Sequence, residues 1–176
     1  MEVPILETAR LILRPLTTLD AEAVYQWVSD LRVTKYMPYK TYTNVEAVRN
    51  WLSSVESDDE TYHFGFVLKQ NNLLIGSGDI GYSSEKSAWD FGYNLRYDCW
   101  NMGFATEAAK GMIKYVYDNF GARDFSSNYA ADNIASGKVM EKCGLIFDHD
   151  GEYSKLDGSK TFKARFYRAH LDEIDV

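Results

Sequence analysis

Residues 100–109 of this chain read WNMGFATEAA, and they lead from a strand-like run into a helix. The alternating residues of Ser87–Leu95 predict the strand before them. After them, apolar residues recur at spacings of three and four as far as Phe120, which is typical of an amphipathic helix. The loop around Gly103 therefore exposes unpaired N–H groups at the positive end of a helix dipole, an arrangement that suits a phosphate group. An ordinary buried helix preceded by a glycine would show the same periodicity.

The residue identities of this stretch resemble the acyl-CoA loop of the GNAT superfamily of N-acetyltransferases, written there as Q/R-x-x-G-x-G/A. Trp100, Gly103 and Ala105 stand at the defining positions of that pattern. The tryptophan followed by Gly-aromatic-Ala-Thr-Glu-Ala resembles the subgroup that acetylates the N-termini of ribosomal proteins, the RimJ/RimL type. Residues 6–16, LETARLILRPL, resemble the opening strand of the same subgroup.

This resemblance implies that acetyl-CoA is the cosubstrate and that the loop binds its pyrophosphate. The subgroup usually carries a glycine at the position of Asn101 and a basic residue at the position of Met102. Pyrophosphate contacts from those two side chains are therefore not expected, whereas contacts from backbone N–H groups are retained. The resemblance assigns five loop residues to the cofactor: Met102, Gly103, Phe104, Ala105 and Thr106. It also assigns Leu95, whose backbone N–H at a splayed strand end is expected to polarise the attacked carbonyl.

Residues 133–145, NIASGKVMEKCGL, resemble a second GNAT segment, which starts with an asparagine at a strand end and closes in K-x-G-F/L. Asn133 follows Gly103 by 30 positions, which is the right spacing. Its amide is expected either to cap the following helix or to bond the pantetheine arm of acetyl-CoA. Many family members carry a tyrosine seven positions after this asparagine, and it protonates the departing thiolate. Here that position is Met140, which cannot donate a proton.

Ser136 is the predicted acid in place of that tyrosine, because RimL-type relatives carry a serine proposed for this role at the same position. It is also a predicted contact to the cofactor. A bound water is the alternative acid, and a small packing residue is the alternative role for Ser136.

The reaction also needs an unprotonated amine, and a carboxylate can remove the proton directly or through water. Asp90 is the first choice for this base, because strand alternation places it opposite the apolar face of Ser87–Leu95. Glu152 and Asp79 are weaker choices. Any of these carboxylates could instead be a solvated or structural charge.

Composition limits the class of protein. The chain has 176 residues, of which 45% are hydrophobic and 15% aromatic, and this predicts one globular domain over residues 1–176. No apolar run is long enough for a membrane span, and the N-terminus lacks the features of a signal peptide, so a cytoplasmic protein is expected. The net charge of −7 argues against a nucleic-acid partner and suits a cationic acceptor. His63, His149 and His170 have no metal-binding spacing, so no metal is expected.

The predicted order of elements is a strand, two helices, three strands, a helix, a strand, a helix and two strands. This order predicts an α/β (α+β) fold with a mixed sheet and helices on its faces. The GNAT fold has the same order, and the resemblance implies a mostly antiparallel sheet of about seven strands with about four helices. The segment Met37–Tyr42 has no clear period. The resemblance implies that it forms part of the acceptor wall, and a plain connecting loop is the alternative.

The function that follows is direct transfer of an acetyl group from acetyl-CoA to a primary amine, and the RimJ/RimL likeness favours a protein N-terminus as the acceptor. Two alternatives stay open: acetylation of a polyamine, antibiotic or other small amine, and a non-catalytic acyl-CoA-binding module. The sequence leaves the choice between a monomer and a homodimer open.

Overall fold

The chain folds around one eight-stranded sheet in the computed structural model, which describes residues 2–173. The order of strands across the sheet is β1-β2-β3-β4-β5-β6-β8-β7. In the chain the strands are β1 (Leu6–Glu7), β2 (Leu11–Pro15), β3 (Thr61–Leu68), β4 (Leu73–Ser83), β5 (Ala88–Leu95), β6 (Asp124–Ala130), β7 (Ile146–Ser154) and β8 (Thr161–His170).

Five α-helices cover the two faces of this sheet. They are α1 (Ala21–Val28), α2 (Leu31–Thr34), α3 (Val45–Glu56), α4 (Phe104–Phe120) and α5 (Ile134–Lys142). On one face, α4 and α5 bury Met112, Val116 and Met140 against the sheet. On the other face, α1 and α3 pack around Trp27 and Leu52. None of the helices within residues 2–173 is long and apolar enough to cross a membrane.

The predicted mixed, mostly antiparallel sheet is confirmed, because β5 and β6 form its one parallel pair within residues 2–173. The structure contains one strand and one helix more than the sequence predicted. Strand β1 has two residues and helix α2 has four. Elements this short cannot be recognised from hydrophobic periodicity, since a period needs more residues to repeat.

The parallel pair is short and opens into a gap. β5 and β6 are paired only at Trp89 with Phe125 and at Asp90 with Ser126. Just beyond, the Ser127 hydroxyl donates a hydrogen bond to the Phe91 carbonyl oxygen at 2.7 Å. The strands then diverge, and the middle of the sheet is open between the second half of β5 and β6.

A β-bulge between β3 and β4 decides which side chains face each other near this gap. Leu68 lies opposite Leu73, but the register shifts by one residue between Phe66 and Val67. As a result His63 lies opposite Asp79, and Asp79 in turn lies opposite Gly92 on β5. Because a one-residue shift moves side chains to the other face of a strand, the bulge places these groups on one face of the sheet.

Candidate active site

The loop before α4 presents backbone N–H groups at the helix N-terminus. Asn101 has a φ of 60° and Gly103 a φ of 82°, both in the left-handed region. Asparagine tolerates this conformation better than most residues, so Asn101 keeps a backbone shape that otherwise favours glycine. The first hydrogen bond of the helix runs from the Glu107 N–H to the Gly103 carbonyl oxygen at 3.0 Å. The N–H groups from Gly103 to Thr106 therefore have no partner within the helix and are available to an anion.

A clamp formed by Thr8, Arg10 and Glu107 fixes this loop to the start of the chain. One carboxylate oxygen of Glu107 accepts hydrogen bonds from the Thr8 hydroxyl and from the Arg10 backbone N–H, both at 2.6 Å. The other accepts from Arg10 Nε at 2.7 Å. Arg10 also donates from Nη1 to the Met102 carbonyl oxygen at 3.0 Å, and its guanidinium lies 4.4 Å from the centre of the Phe104 ring. The opening strand and the loop, which the sequence presented as two separate motifs, thus form one structural unit.

The gap between β5 and β6 lies beside this loop. The Arg96 N–H bonds the Ile75 carbonyl oxygen of β4 at 2.8 Å. Because antiparallel strands alternate the direction of their backbone groups, the N–H groups of Tyr93 and Leu95 point away from β4 and toward the gap. The Leu95 carbonyl oxygen, on the same side, accepts from Trp100 Nε1 at 3.0 Å. The N–H predicted to act as oxyanion donor is thus oriented into the opening.

A cavity of about 550 Å³ lies at this gap and extends over the polar face of β3, β4 and β5; we call it the central chamber. Seven aromatic side chains from several elements contribute to its walls, and Asp79, Asp90 and His63 belong to its lining. Within residues 2–173, no lysine or arginine contributes to that lining. Of the sequence-predicted residues, Asp79, Asp90, Asn133 and Ser136 meet here, whereas Glu152 is exposed on β7 outside the chamber.

The N-terminus of α5 brings a polar group to the chamber from the side of the α4–α5 core. Asn133 precedes the helix, but its side chain makes no capping hydrogen bond, so its amide is left for other partners. Ser136 Oγ lies 3.0 Å from the Tyr93 hydroxyl, and that hydroxyl also donates to the Ser136 carbonyl oxygen at 2.8 Å. Burial raises the pKa of Tyr93, so the phenol stays protonated. Met140 is buried beside them. Tyr93 was not among the residues predicted from the sequence, because the alternation of Ser87–Leu95 assigns it to the apolar face.

The two carboxylates of the chamber differ in their partners. Asp90 Oδ1 accepts a hydrogen bond from the Ser126 hydroxyl at 2.6 Å and forms an ion pair with Lys86 Nζ at 2.8 Å. Asp79 receives no hydrogen bond from any group in residues 2–173, and burial raises the pKa of its carboxyl. His63, whose spacing in the sequence excluded it as a metal ligand, stands opposite Asp79, and its Nε2 lies 2.8 Å from Asp58 Oδ2.

Residues 35–40 close the chamber on its outer side, and residues 155–160 hold them in place; we call these two segments the mouth loops. Lys155 Nζ donates hydrogen bonds to the carbonyl oxygens of Thr34, Met37 and Tyr39 at 3.1, 2.9 and 3.0 Å. The Leu156 N–H adds a bond to the Pro38 carbonyl oxygen at 2.7 Å. Met37, Pro38 and Tyr39 line the chamber, so this segment is a wall of the cavity rather than a plain connection.

Comparison with known proteins decides the family. A sequence profile described as the Acetyltransferase (GNAT) domain matches residues 10–146, which is most of the chain. The chain belongs to the GNAT acetyltransferases. An uncharacterised N-acetyltransferase of Bacillus licheniformis is 28% identical over 160 residues, covering 86% of this chain and 90% of that protein.

Solved structures of GNAT acetyltransferases share the fold. A GNAT-family acetyltransferase from Bacillus anthracis superposes with a TM-score of 0.85 at 24% identity, covering 97% of this chain and 100% of the other. RimL, a ribosomal-protein α-N-acetyltransferase solved with coenzyme A, gives a TM-score of 0.81 at 17% identity, covering 96% and 99%. At these identities the likeness shows the fold alone.

This GNAT acetyltransferase uses acetyl-CoA as acetyl donor and transfers the group to nitrogen. The residues present fit that donor. The N–H groups of residues 103–106 have no partner within the helix and suit a pyrophosphate. The gap between β5 and β6 offers backbone groups to the pantetheine arm of the donor, and so does the side-chain amide of Asn133, which does not cap the helix.

Proposed function

We propose that this acetyltransferase modifies the α-amino group at the N-terminus of a protein or peptide. The observation that carries the proposal is the size and character of the central chamber, about 550 Å³ with seven aromatic side chains in its lining. That volume lies within the range of about 300–1,000 Å³ of sites that enclose ligands larger than a simple alkylamine. The fold shared with RimL, whose name states an α-N-protein acceptor, supports the same class.

A small cationic amine is the second candidate acceptor, and the carboxylates of Asp79 and Asp90 favour it. The two candidates are separated by measuring kcat/KM for short peptides with free N-termini against a polyamine such as spermidine. The proposal expects peptides to be the better substrates. Turnover of spermidine with no turnover of any peptide would contradict it.

The donor-side residues are proposed to act as follows. The N–H groups of Gly103, Phe104, Ala105 and Thr106 bind the pyrophosphate beside the Met102 carbonyl, which Arg10 holds in place. The Leu95 N–H polarises the thioester carbonyl, and the Asn133 amide bonds the arm of the donor.

Ser136 is proposed to protonate the departing thiolate, with its hydroxyl oriented by Tyr93 at 3.0 Å. Ser136→Ala is expected to lower kcat by about 10²-fold or more if this hydroxyl is the acid. The Kd of acetyl-CoA, measured by calorimetry, serves as control for an intact donor site. An unchanged kcat in the variant would assign the proton to a bound water instead.

The proton of the acceptor ammonium goes to one of two carboxylates, Asp90 or Asp79, which share the polar face of the chamber. Asp90→Asn tests the first. If Asp90 is the base, the variant loses about 10²-fold in kcat or more, together with the pH dependence of the wild type. A wild-type pH–rate profile in Asp90→Asn removes Asp90 from this role.

A further inference from the structure

Two carboxylates line the chamber, and that of Asp79 accepts no hydrogen bond from the described residues. It projects from β4 on the face that lines the cavity, opposite Gly92, where the absence of a side chain leaves the carboxylate open. A Cβ added at Gly92 would lie 3.3 Å from Asp79 Oδ1. No N–H or O–H within residues 2–173 bonds to this carboxylate. An ionised carboxylate without donors is unfavourable beside aromatic walls, and a ligand ammonium would remove that penalty.

The groups that face Asp79 come from every neighbouring element. His63 stands opposite on β3 and Asp90 lies on β5, while Asp58 precedes β3 and Tyr39 comes from a mouth loop. Burial raises the pKa of Asp79, His63 opposes this, and the carboxylates of Asp90 and Asp58 add to it. A carboxylate with a raised pKa is a better proton acceptor than an ordinary aspartate. The Asp90 carboxylate, by contrast, is already engaged by Lys86 and Ser126.

We propose that Asp79 binds the ammonium group of the acceptor and takes its proton, and that the chamber therefore selects amines with no carboxylate next to the amino group. The inference rests on the proposed transfer to an α-amino group in this chamber. It assigns to one side chain both the binding of the acceptor and the first proton transfer.

The chemistry balances with one proton released per turnover. The ammonium loses a proton to the Asp79 carboxylate, and the free nitrogen lone pair forms a bond to the thioester carbonyl carbon of acetyl-CoA. The carbon–sulfur bond breaks, and its electron pair stays on sulfur. The nitrogen then loses a second proton, and the sulfur gains one, so that an amide and a thiol result. The proton on Asp79 then leaves to solvent.

The selectivity follows from the charges of the lining. Lys86 offsets the charge of Asp90 at 2.8 Å, whereas Asp79 has no cationic partner, and no lysine or arginine among the described residues lines the chamber to balance an anionic acceptor. A free amino acid would place its own carboxylate beside that of Asp79, and like charges in such a site are strongly unfavourable. In a peptide the same carbon carries a neutral amide, so the amino group can approach Asp79 without this repulsion.

The test is steady-state kinetics with a panel of amino-acid amides, each paired with its free amino acid, at saturating acetyl-CoA. In the wild type, kcat/KM for the amide should exceed that for the free acid by at least about tenfold. Asp79→Asn should lower kcat/KM for the amides by about 100-fold or more. The ratio of amide to free acid should also fall, by at least about threefold, because one repelling charge is gone. Asp150→Asn, which removes an exposed charge outside the chamber, should change neither value.

Thermal unfolding without substrates gives an independent readout. Asp79→Asn should raise the midpoint by roughly 1–3 °C at pH 7, because it removes an unpaired, partly desolvated charge. A lower midpoint would show a structural role and overturn the proposal. An Asp79→Asn variant with wild-type kcat/KM, or equal wild-type rates for amides and free acids, overturns this inference alone. If the wild type acetylates no amine of the panel and no peptide, the proposed acceptor class fails and the inference falls with it.

Discussion

Removing the carboxylate of Glu107 should loosen the donor loop as well as destabilise the protein. Glu107→Ala deletes the acceptor of three hydrogen bonds, from the Thr8 hydroxyl, the Arg10 N–H and Arg10 Nε, at 2.6, 2.6 and 2.7 Å. The Arg10 side chain is 48% exposed, so its ion pair contributes little beyond about 0.5 kcal/mol. The other two bonds reach a carboxylate that is only 14% exposed, and each is worth about 1.5 kcal/mol.

The expected loss is therefore about 3.5 kcal/mol in the free energy of unfolding, or roughly 7–14 °C in the thermal midpoint for a chain of this size. Glu107→Gln keeps the shape and one acceptor oxygen, so about half of that loss is expected. Because the clamp also holds the Met102 carbonyl through Arg10, the Kd of coenzyme A should rise by about tenfold in Glu107→Ala.

The pH dependence of this stability has a definite sign. Burial alone would raise the pKa of Glu107, but the hydrogen bonds from Thr8 and Arg10 outweigh it and hold the pKa below its ordinary value. A carboxyl with a lowered pKa stabilises the fold above its unfolded pKa, about 4.3, and loses that contribution as the pH falls through the folded value. The difference in stability between wild type and Glu107→Gln should be complete at pH 7 and shrink below about pH 4.3.

The assay is calorimetry in two forms, thermal unfolding across this pH range and titration with coenzyme A. Asp118→Asn serves as control, since it removes a carboxylate from the far end of the same helix, where it pairs with Lys114 on the surface. A lowered midpoint with an unchanged Kd would refute the argument that the clamp positions the loop. An unchanged midpoint in Glu107→Ala would refute the energetic argument.

Three further outcomes are expected. In Gly76→Ala the added Cβ would lie 2.3 Å from the Asn94 carbonyl oxygen of β5, so urea unfolding should show a loss of about 2 kcal/mol. Because Leu95 is the next residue, the displaced strand should also weaken coenzyme A binding. Lys155→Met should raise the KM of the acceptor several-fold and speed proteolysis of the mouth loops, while the Kd of coenzyme A stays unchanged. Tyr93→Phe should lower kcat by about threefold to tenfold with little change in the KM of acetyl-CoA, because Ser136 loses its hydroxyl partner; equal kcat values would show that this contact does not orient the serine.

The long elements could be predicted from the sequence because their patterns repeat over enough residues. The helix Phe104–Phe120 begins and ends where its periodicity does, and Gly103 and Gly121 flank it with φ values of 82° and 65°. The alternation of β5 placed Asp90 and Phe91 on opposite faces, as the structure shows. These features depend only on the spacing of apolar residues along one element, which can be read from the sequence.

The alignment of His63 on β3 with Asp79 on β4 could not be predicted in the same way. A plain hairpin with Leu68 opposite Leu73 would have set His63 opposite Gly78, and only the bulge moves it to Asp79. Tyr93 and Ser136 are 43 positions apart, and their contact depends on how α5 packs against β5. Such pairings arise from tertiary packing, and no spacing in the chain signals them.

The hydrogen bonds between the mouth loops have a consequence for how acceptor preference can change among related enzymes. Lys155 and the Leu156 N–H bind carbonyl oxygens, which every residue type supplies at positions 34, 37, 38 and 39. Substitutions at these positions can therefore reshape the chamber wall without giving up the bonds that hold its backbone. In this arrangement a descendant could acquire a new acceptor through side-chain replacements in one short segment, while the donor half of the enzyme stays as it was.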